Sequence, residues 1–73
     1  MKISKAQQTF IESIYCDNEH MSFECEQWER RTAISLYKKG FVFFENGIPT
    51  KDDNTFLAAL TDKGIDKYNE WRT

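Results

Sequence analysis

Phe41-Val42-Phe43-Phe44 follows immediately on Lys38-Lys39-Gly40, and no other stretch restricts the fold as much. Two lysines and a glycine suit a helix C-terminus, because cations favour that end of the dipole and glycine takes the left-handed conformation after the last turn. The four apolar residues behind them show no polar alternation, so a strand made from them has two apolar faces that both need cover. Thr55 to Leu60 is a second run of this kind, and the intervening NGIPTKDDN, Asn46 to Asn54, consists of turn formers. The two runs read as a hairpin. A two-residue turn at Asn46-Gly47 would place Pro49 in the ladder without a donor, so the longer loop is expected. With Phe44 opposite Phe56, one face carries Val42, Phe44, Phe56, Ala58 and Leu60, and the other carries Phe41, Phe43, Leu57 and Ala59.

Cover must come from a short chain. Its 73 residues form one domain, 1–73, that buries only roughly 60% of its extended surface. Six Phe, three Tyr and two Trp supply much of that burial. Ser4 with Gln7 has the form of a capping box, and Ile3, Ala6, Phe10 and Ile14, widened by Ile11 and Tyr15, predict a helix over about Lys5 to Tyr15. Asp17 and Asn18 then break it. Ser22 predicts a cap for a second helix from Phe23, with Glu24 and Glu26 in its first turn. A break is expected near Trp28 to Arg31, although one helix continuing to Lys39 fits the same residues.

From Thr32 onward, Ala33, Leu36 and Tyr37 share an inward face, with Ile34 at its margin. Arg31, Ser35 and Lys38 line the opposite side, flanked by Thr32 and Lys39. Thr61 predicts the cap of a terminal helix from Asp62 to about Trp71, with Ile65, Tyr68 and Trp71 inward and Gly64 tolerated. The first and third helices should close one face of the hairpin. The terminal helix is the expected cover for the other face; the alternative is a second copy of the chain docking through Phe44, Tyr68 and Trp71.

Ten Lys and Arg against twelve Asp and Glu give a net charge of -2, which argues against a surface that is basic throughout. The charge is polarised. Ala6 to Glu29 holds Glu12, Asp17, Glu19, Glu24, Glu26 and Glu29 with no Lys or Arg, and then Arg30, Arg31, Lys38 and Lys39 follow. The N-terminus has a basic start with no apolar stretch behind it, so neither a signal peptide nor a membrane span is expected. A cytoplasmic setting follows, with Cys16 and Cys25 as thiols.

The order of elements, with LYKKGFV (Leu36 to Val42) and LTDKGIDKY (Leu60 to Tyr68), resembles the winged helix-turn-helix superfamily of small bacterial and phage regulators. The resemblance covers about Thr32 to Trp71. The acidic segment HMSFECEQWERR departs from the regular small and apolar residues of that family's second helix. The resemblance implies an α+β fold with three N-terminal helices, a two-stranded wing and a C-terminal helix. It also implies a recognition helix around Arg31 to Lys39 in the major groove of double-stranded DNA, with Asn46 to Asn54 as the wing. The candidate DNA-facing residues are Arg30, Arg31, Thr32, Ser35, Lys38 and Lys39, with Lys51 on the wing. By chemistry, Arg31 can read a guanine edge, Ser35 a base or phosphate, and Lys38 and Lys39 phosphates. The alternative is a host or regulatory protein docked through Glu24, Glu26 and Glu29.

No catalytic or cofactor motif is present. Cys16, His20 and Cys25 have the spacing C-x3-H-x4-C, which lacks a paired knuckle and a fourth ligand, so no metal is expected. There is no G-x-S-x-G, P-loop or H-E-x-x-H, and Asp52 and Asp53 read as a solvated turn. A non-enzyme is expected.

Overall fold

The structure is a computed structural model and describes residues 3–15 and 21–72. In chain order the elements are α1 (Lys5–Ile14), β1 (Phe23–Glu26), one turn of 3-10 helix (Gln27–Glu29), α2 (Arg30–Lys38), β2 (Val42–Phe44), β3 (Thr55–Leu60) and α3 (Asp62–Arg72). The fold is α+β, with an antiparallel sheet of order β1-β3-β2. The expectations for Cys16, Asp17, Asn18 and His20 lie outside the described residues.

The capping box at α1 forms as expected. The Gln7 amide donates to Ser4 Oγ at 3.2 Å, and the Ser4 amide donates to Gln7 Oε1 at 2.8 Å. Together they satisfy two of the helix's otherwise unpaired donors. Phe10, Ile11 and Ile14 face the core.

The segment from Phe23 is a strand, and the expected second helix is not formed. Phe23 and Cys25 pair with Ala58 and Phe56, while Glu24 and Glu26 stand opposite Leu57 and Thr55. The apolar and acidic residues of FECE alternate with period two, which serves a strand with one face inward. Acids at the second and fourth positions fit a helical first turn equally well, so only the pairing partner some thirty residues away decides. The break expected near Trp28 to Arg31 falls at the 3-10 turn, and α2 begins at Arg30 rather than continuing an earlier helix.

Helix α2 ends in a Schellman motif. The Phe41 amide donates to Leu36 O at 3.0 Å and the Gly40 amide to Tyr37 O at 3.0 Å, with Gly40 at φ 84°. This turn draws Phe41 into the core, only 2% exposed, and not onto the outer sheet face where strand alternation would put it. The hairpin register is Phe44 opposite Ala58, two residues from the expected pairing, so apart from Phe41 the two faces keep their assignments. Asn46 to Asn54 lie in the long loop, as expected.

All three helices and one sheet face share a single core, which includes Phe10, Ile11, Cys25, Leu36, Phe41 and Phe56. Ile65, Tyr68 and Trp71 of α3 pack against this same core. The terminal helix therefore reinforces the inner side and does not cover the outer one. On the outer face Ala59 is buried and Leu57 half-buried, while Phe43 remains 37% exposed.

The joint between α2 and α3 explains why LYKKGFV and LTDKG occur together. The Thr61 amide donates to Phe41 O at 3.0 Å, and Thr61 Oγ1 donates to Gly40 O at 2.6 Å. That hydroxyl also accepts the Gly64 amide at 3.1 Å, as an N-cap should. Lys63 Nζ donates to Lys39 O at 2.8 Å and lies 5.0 Å from the Phe41 ring centroid. Orphan carbonyls at the end of one helix are thus satisfied by the start of the next. Gly64 is required here, because a Cβ would overlap the Phe41 carbonyl oxygen.

Candidate interaction surfaces

Helix α2 divides the expected basic face into two parts. Arg31 and Lys38 are exposed and lie seven residues apart, two turns along one stripe. Among the described residues no ion pair involves either one. Ser35 and Lys39 instead turn toward α1. Gln7 Nε2 donates to Ser35 Oγ at 2.6 Å, and Lys39 Nζ donates to Gln7 Oε1 at 3.0 Å. A buried glutamine thus ties α1 to α2, using its side chain for the cap and the contact at once. A helical wheel assigns every polar side chain opposite the core to solvent, and it cannot see that a second helix stands there. Thr32 is half-buried on that same α1-facing side, and Arg30 Nε donates to Gln27 Oε1 at 3.3 Å.

Lys51 sits at the exposed tip of the hairpin loop. The loop is strapped to the entry of α2. Gln27 Nε2 donates to Asp53 O at 2.6 Å and Thr50 O at 3.2 Å, and the Gln27 amide donates to Asn54 O at 3.2 Å. Asp53 organises the loop from within, its carboxylate accepting the Thr50 amide at 2.8 Å.

The acids occupy the other side of this junction. Glu24 and Glu26 project from the outer face of β1, and the Glu29 carboxylate accepts the Glu26 amide at 2.9 Å. They stand on a strand and a 3-10 turn, and not along a helix. Glu24 also lines a depression of about 360 Å³ beneath the hairpin loop, with Ile48 and Leu57. Ile48 is 54% exposed beside it.

Of the expected dimer residues, Phe44 is only 8% exposed, packed between Tyr37 and Phe56 at ring separations of 5.2 and 5.8 Å. Tyr68 stacks on Tyr15 at 3.9 Å, and Trp71 meets the Tyr68 ring at 5.8 Å. These rings are half-buried or buried within their own chain, so as a set they do not form a free patch.

No family model, curated protein or solved structure matches this chain. Among the described residues no group of His, Cys, Asp and Glu is placed to hold a metal ion, and no helix is long and apolar enough to cross a membrane. Cys25 is buried, and its thiol is pushed up to about 11 by burial and by the nearby Glu29 and Glu24 carboxylates. A thiol so protonated is a poor nucleophile.

A surface that the sequence did not reveal lies between α1 and the start of α2. Ala6, Thr9, Phe10 and Ser13 form one wall, and Trp28, Glu29 and Thr32 the other, around an apolar groove of about 490 Å³. Trp28 is 79% exposed at its edge. The signal for it was a row of small residues at helical spacing, Ala6, Thr9 and Ser13, which leaves a shallow apolar groove over the buried Phe10.

Proposed function

We propose that this protein is a small cytoplasmic DNA-binding module of winged-helix type, a transcriptional regulator in the manner of the phage and bacterial proteins it resembles. The observation that carries this reading is the exposed Arg31–Lys38 stripe on a helix whose entry is fastened to the hairpin loop. Two exposed cations about 10 Å apart along a helix axis span a distance suited to successive phosphates or to one phosphate and a base edge. The Gln27 bonds fasten the Lys51 loop to the turn that leads into α2, and on this reading the loop serves as a wing that adds a backbone contact. Ser35 and Lys39, engaged with Gln7, leave the contact set, which becomes Arg31, Lys38 and Lys51 with Arg30 at its edge.

The test is a mobility shift on random duplex DNA at low and moderate salt. Binding should weaken with salt, the log–log slope falling by about 0.9 for each phosphate contact removed. Arg31→Ala and Lys38→Ala should each reduce affinity several-fold while the protein stays folded. No shift at low salt, or unchanged affinity in both variants, would remove the DNA reading.

A second reading is favoured by Glu24 beside the exposed Ile48, with Glu26 and Phe43 on the same outer sheet face. Apolar anchors bordered by exposed carboxylates suit a basic protein segment laid across the outer sheet face. Glu24→Lys with Glu26→Lys should abolish capture of such a segment and strengthen non-specific DNA binding. A partner retained by that double variant would count against this surface.

A further inference from the structure

The groove between α1 and the start of α2 has a feature that separates it from the other depressions. The largest exposed side chain of the molecule stands at the edge of an apolar hole that it does not fill. A knob and a hole side by side on one patch form a self-complementary surface, the condition for a two-fold interface in which residue i of one copy meets residue j of the other and the reverse.

We propose that the groove is the docking site of a second copy of this chain, with Trp28 of each protomer entering the groove of its partner and lying over Ala6, Thr9 and Ser13. The chemistry of the walls suits an indole. Ala6, Thr9 and Ser13 are small enough to let a flat ring approach the helix, and Thr32 offers a methyl group on the opposite side. Charge is consistent with the same symmetry. Glu29 borders the hole on the Trp28 side, while Lys5 lies one turn before Thr9 on α1, exposed and without an ion pair among the described residues. A two-fold axis through the patch converts these opposite charges into two cross-protomer pairs.

Area gives the same choice. An aromatic side chain buries roughly 150 to 250 Å², and the wall it covers loses a similar amount, so two reciprocal insertions supply at least about half of the ~1,200 Å² that a specific interface needs. The outer flank of α1 on both sides of Thr9 is available for the rest. The outer sheet face does not offer this symmetry, since a second copy there would set Glu24 and Glu26 against their own equivalents. The proposal rests on no assignment of function and stands or falls apart from DNA binding.

The experiment removes the knob and the hole separately. Wild type should sediment as a dimer in the micromolar range. Trp28→Ala removes the knob, and Thr9→Arg blocks the hole from an exposed helical position that tolerates arginine. Each should raise the dissociation constant at least about thirtyfold, the ~2 kcal/mol that marks an interface anchor, with unchanged circular dichroism. Mixing the two variants should restore a heterodimer, because the Trp28 of the blocked chain can enter the groove of the knobless one, which loses its Trp28 edge but keeps the wall of Ala6, Thr9 and Ser13 and the facing Thr32. A monomeric wild type in that range, a dimer that survives either substitution, or a mixture that stays monomeric would overturn the proposal.

Discussion

The two ends of α2, a helix of nine residues, are built on opposite terms. At its C-terminus, Lys39, Gly40 and Phe41 present three carbonyls in succession, and the first residues of α3 take all three. At its N-terminus, Trp28 stands 79% exposed beside an apolar groove. One end is closed by its own chain, so the residues there are fixed by stability. The other leaves apolar surface in water, an unfavourable state that a partner would relieve. LYKKGFV and LTDKG are the two halves of a structural joint, and their co-occurrence is explained by that joint with no reference to a ligand.

Gly64→Ala should break the closed end most severely. Its methyl group meets a backbone carbonyl, which cannot rotate aside as a side chain could, so α3 must shift. We expect a loss of about 3 kcal/mol or more, a fall in melting temperature above ~12 °C for a domain of this size. A variant that melts within a few degrees of wild type would mean that α3 does not dock on Phe41 this closely, and the contrast between the ends would dissolve.

What could be read in advance divides along the same line. Local rules reached α1 through Ser4 and Gln7, the end of α2 through Gly40, and the start of α3 through Thr61, because each depends on neighbours within six residues. They failed for Phe23 to Glu26, where FECE satisfies a helical first turn and a strand alike until β3 is present to pair with it. They failed again for Ser35 and Lys39, whose polarity suited solvent but whose partner is Gln7, roughly thirty residues earlier in the chain. The exposure of Trp28 depends on where the small residues of α1 come to lie, which its own neighbours in the sequence do not determine.

Alkaline titration tests the junction of β1 and α2 next. The folded Cys25 thiol holds its proton to about 11, whereas the unfolded thiol releases it near 9.0. Between these values the native state binds more protons than the unfolded state, so stability falls as pH rises, fully present below the lower value and lost above the upper one. The loss should be on the order of 2 kcal/mol between about pH 8 and about pH 10.5, read as a shift of the urea midpoint that Cys25→Ala does not show. Equal alkaline sensitivity in both proteins would place the thiol in contact with water.

Thr61→Ala probes the closed end more gently. It removes the hydroxyl that donates to Gly40 O and accepts from the Gly64 amide, while leaving the backbone bond to Phe41 O in place. Loss of an N-cap costs about 1 kcal/mol, and the orphaned carbonyl adds less because it lies near solvent. Thr61→Ser, which keeps the oxygen, should recover most of the loss. If serine fails where threonine succeeds, the methyl group and not the hydroxyl holds the joint.

Trp28→Ala should have the smallest effect on folding although it deletes the largest side chain. A ring 79% exposed leaves little apolar area to return to water, so the monomer should change by no more than ~0.5 kcal/mol, measured at high dilution where association is absent. Gly64→Ala adds one methyl group and Trp28→Ala removes an indole, yet the first should cost several times more. That inversion follows from burial alone. It would fail if Trp28→Ala proved as destabilising as a core deletion, for then the ring would lie in the groove in solution, filling the hole of its own chain, and both the open end of α2 and the reciprocal dimer would be lost together.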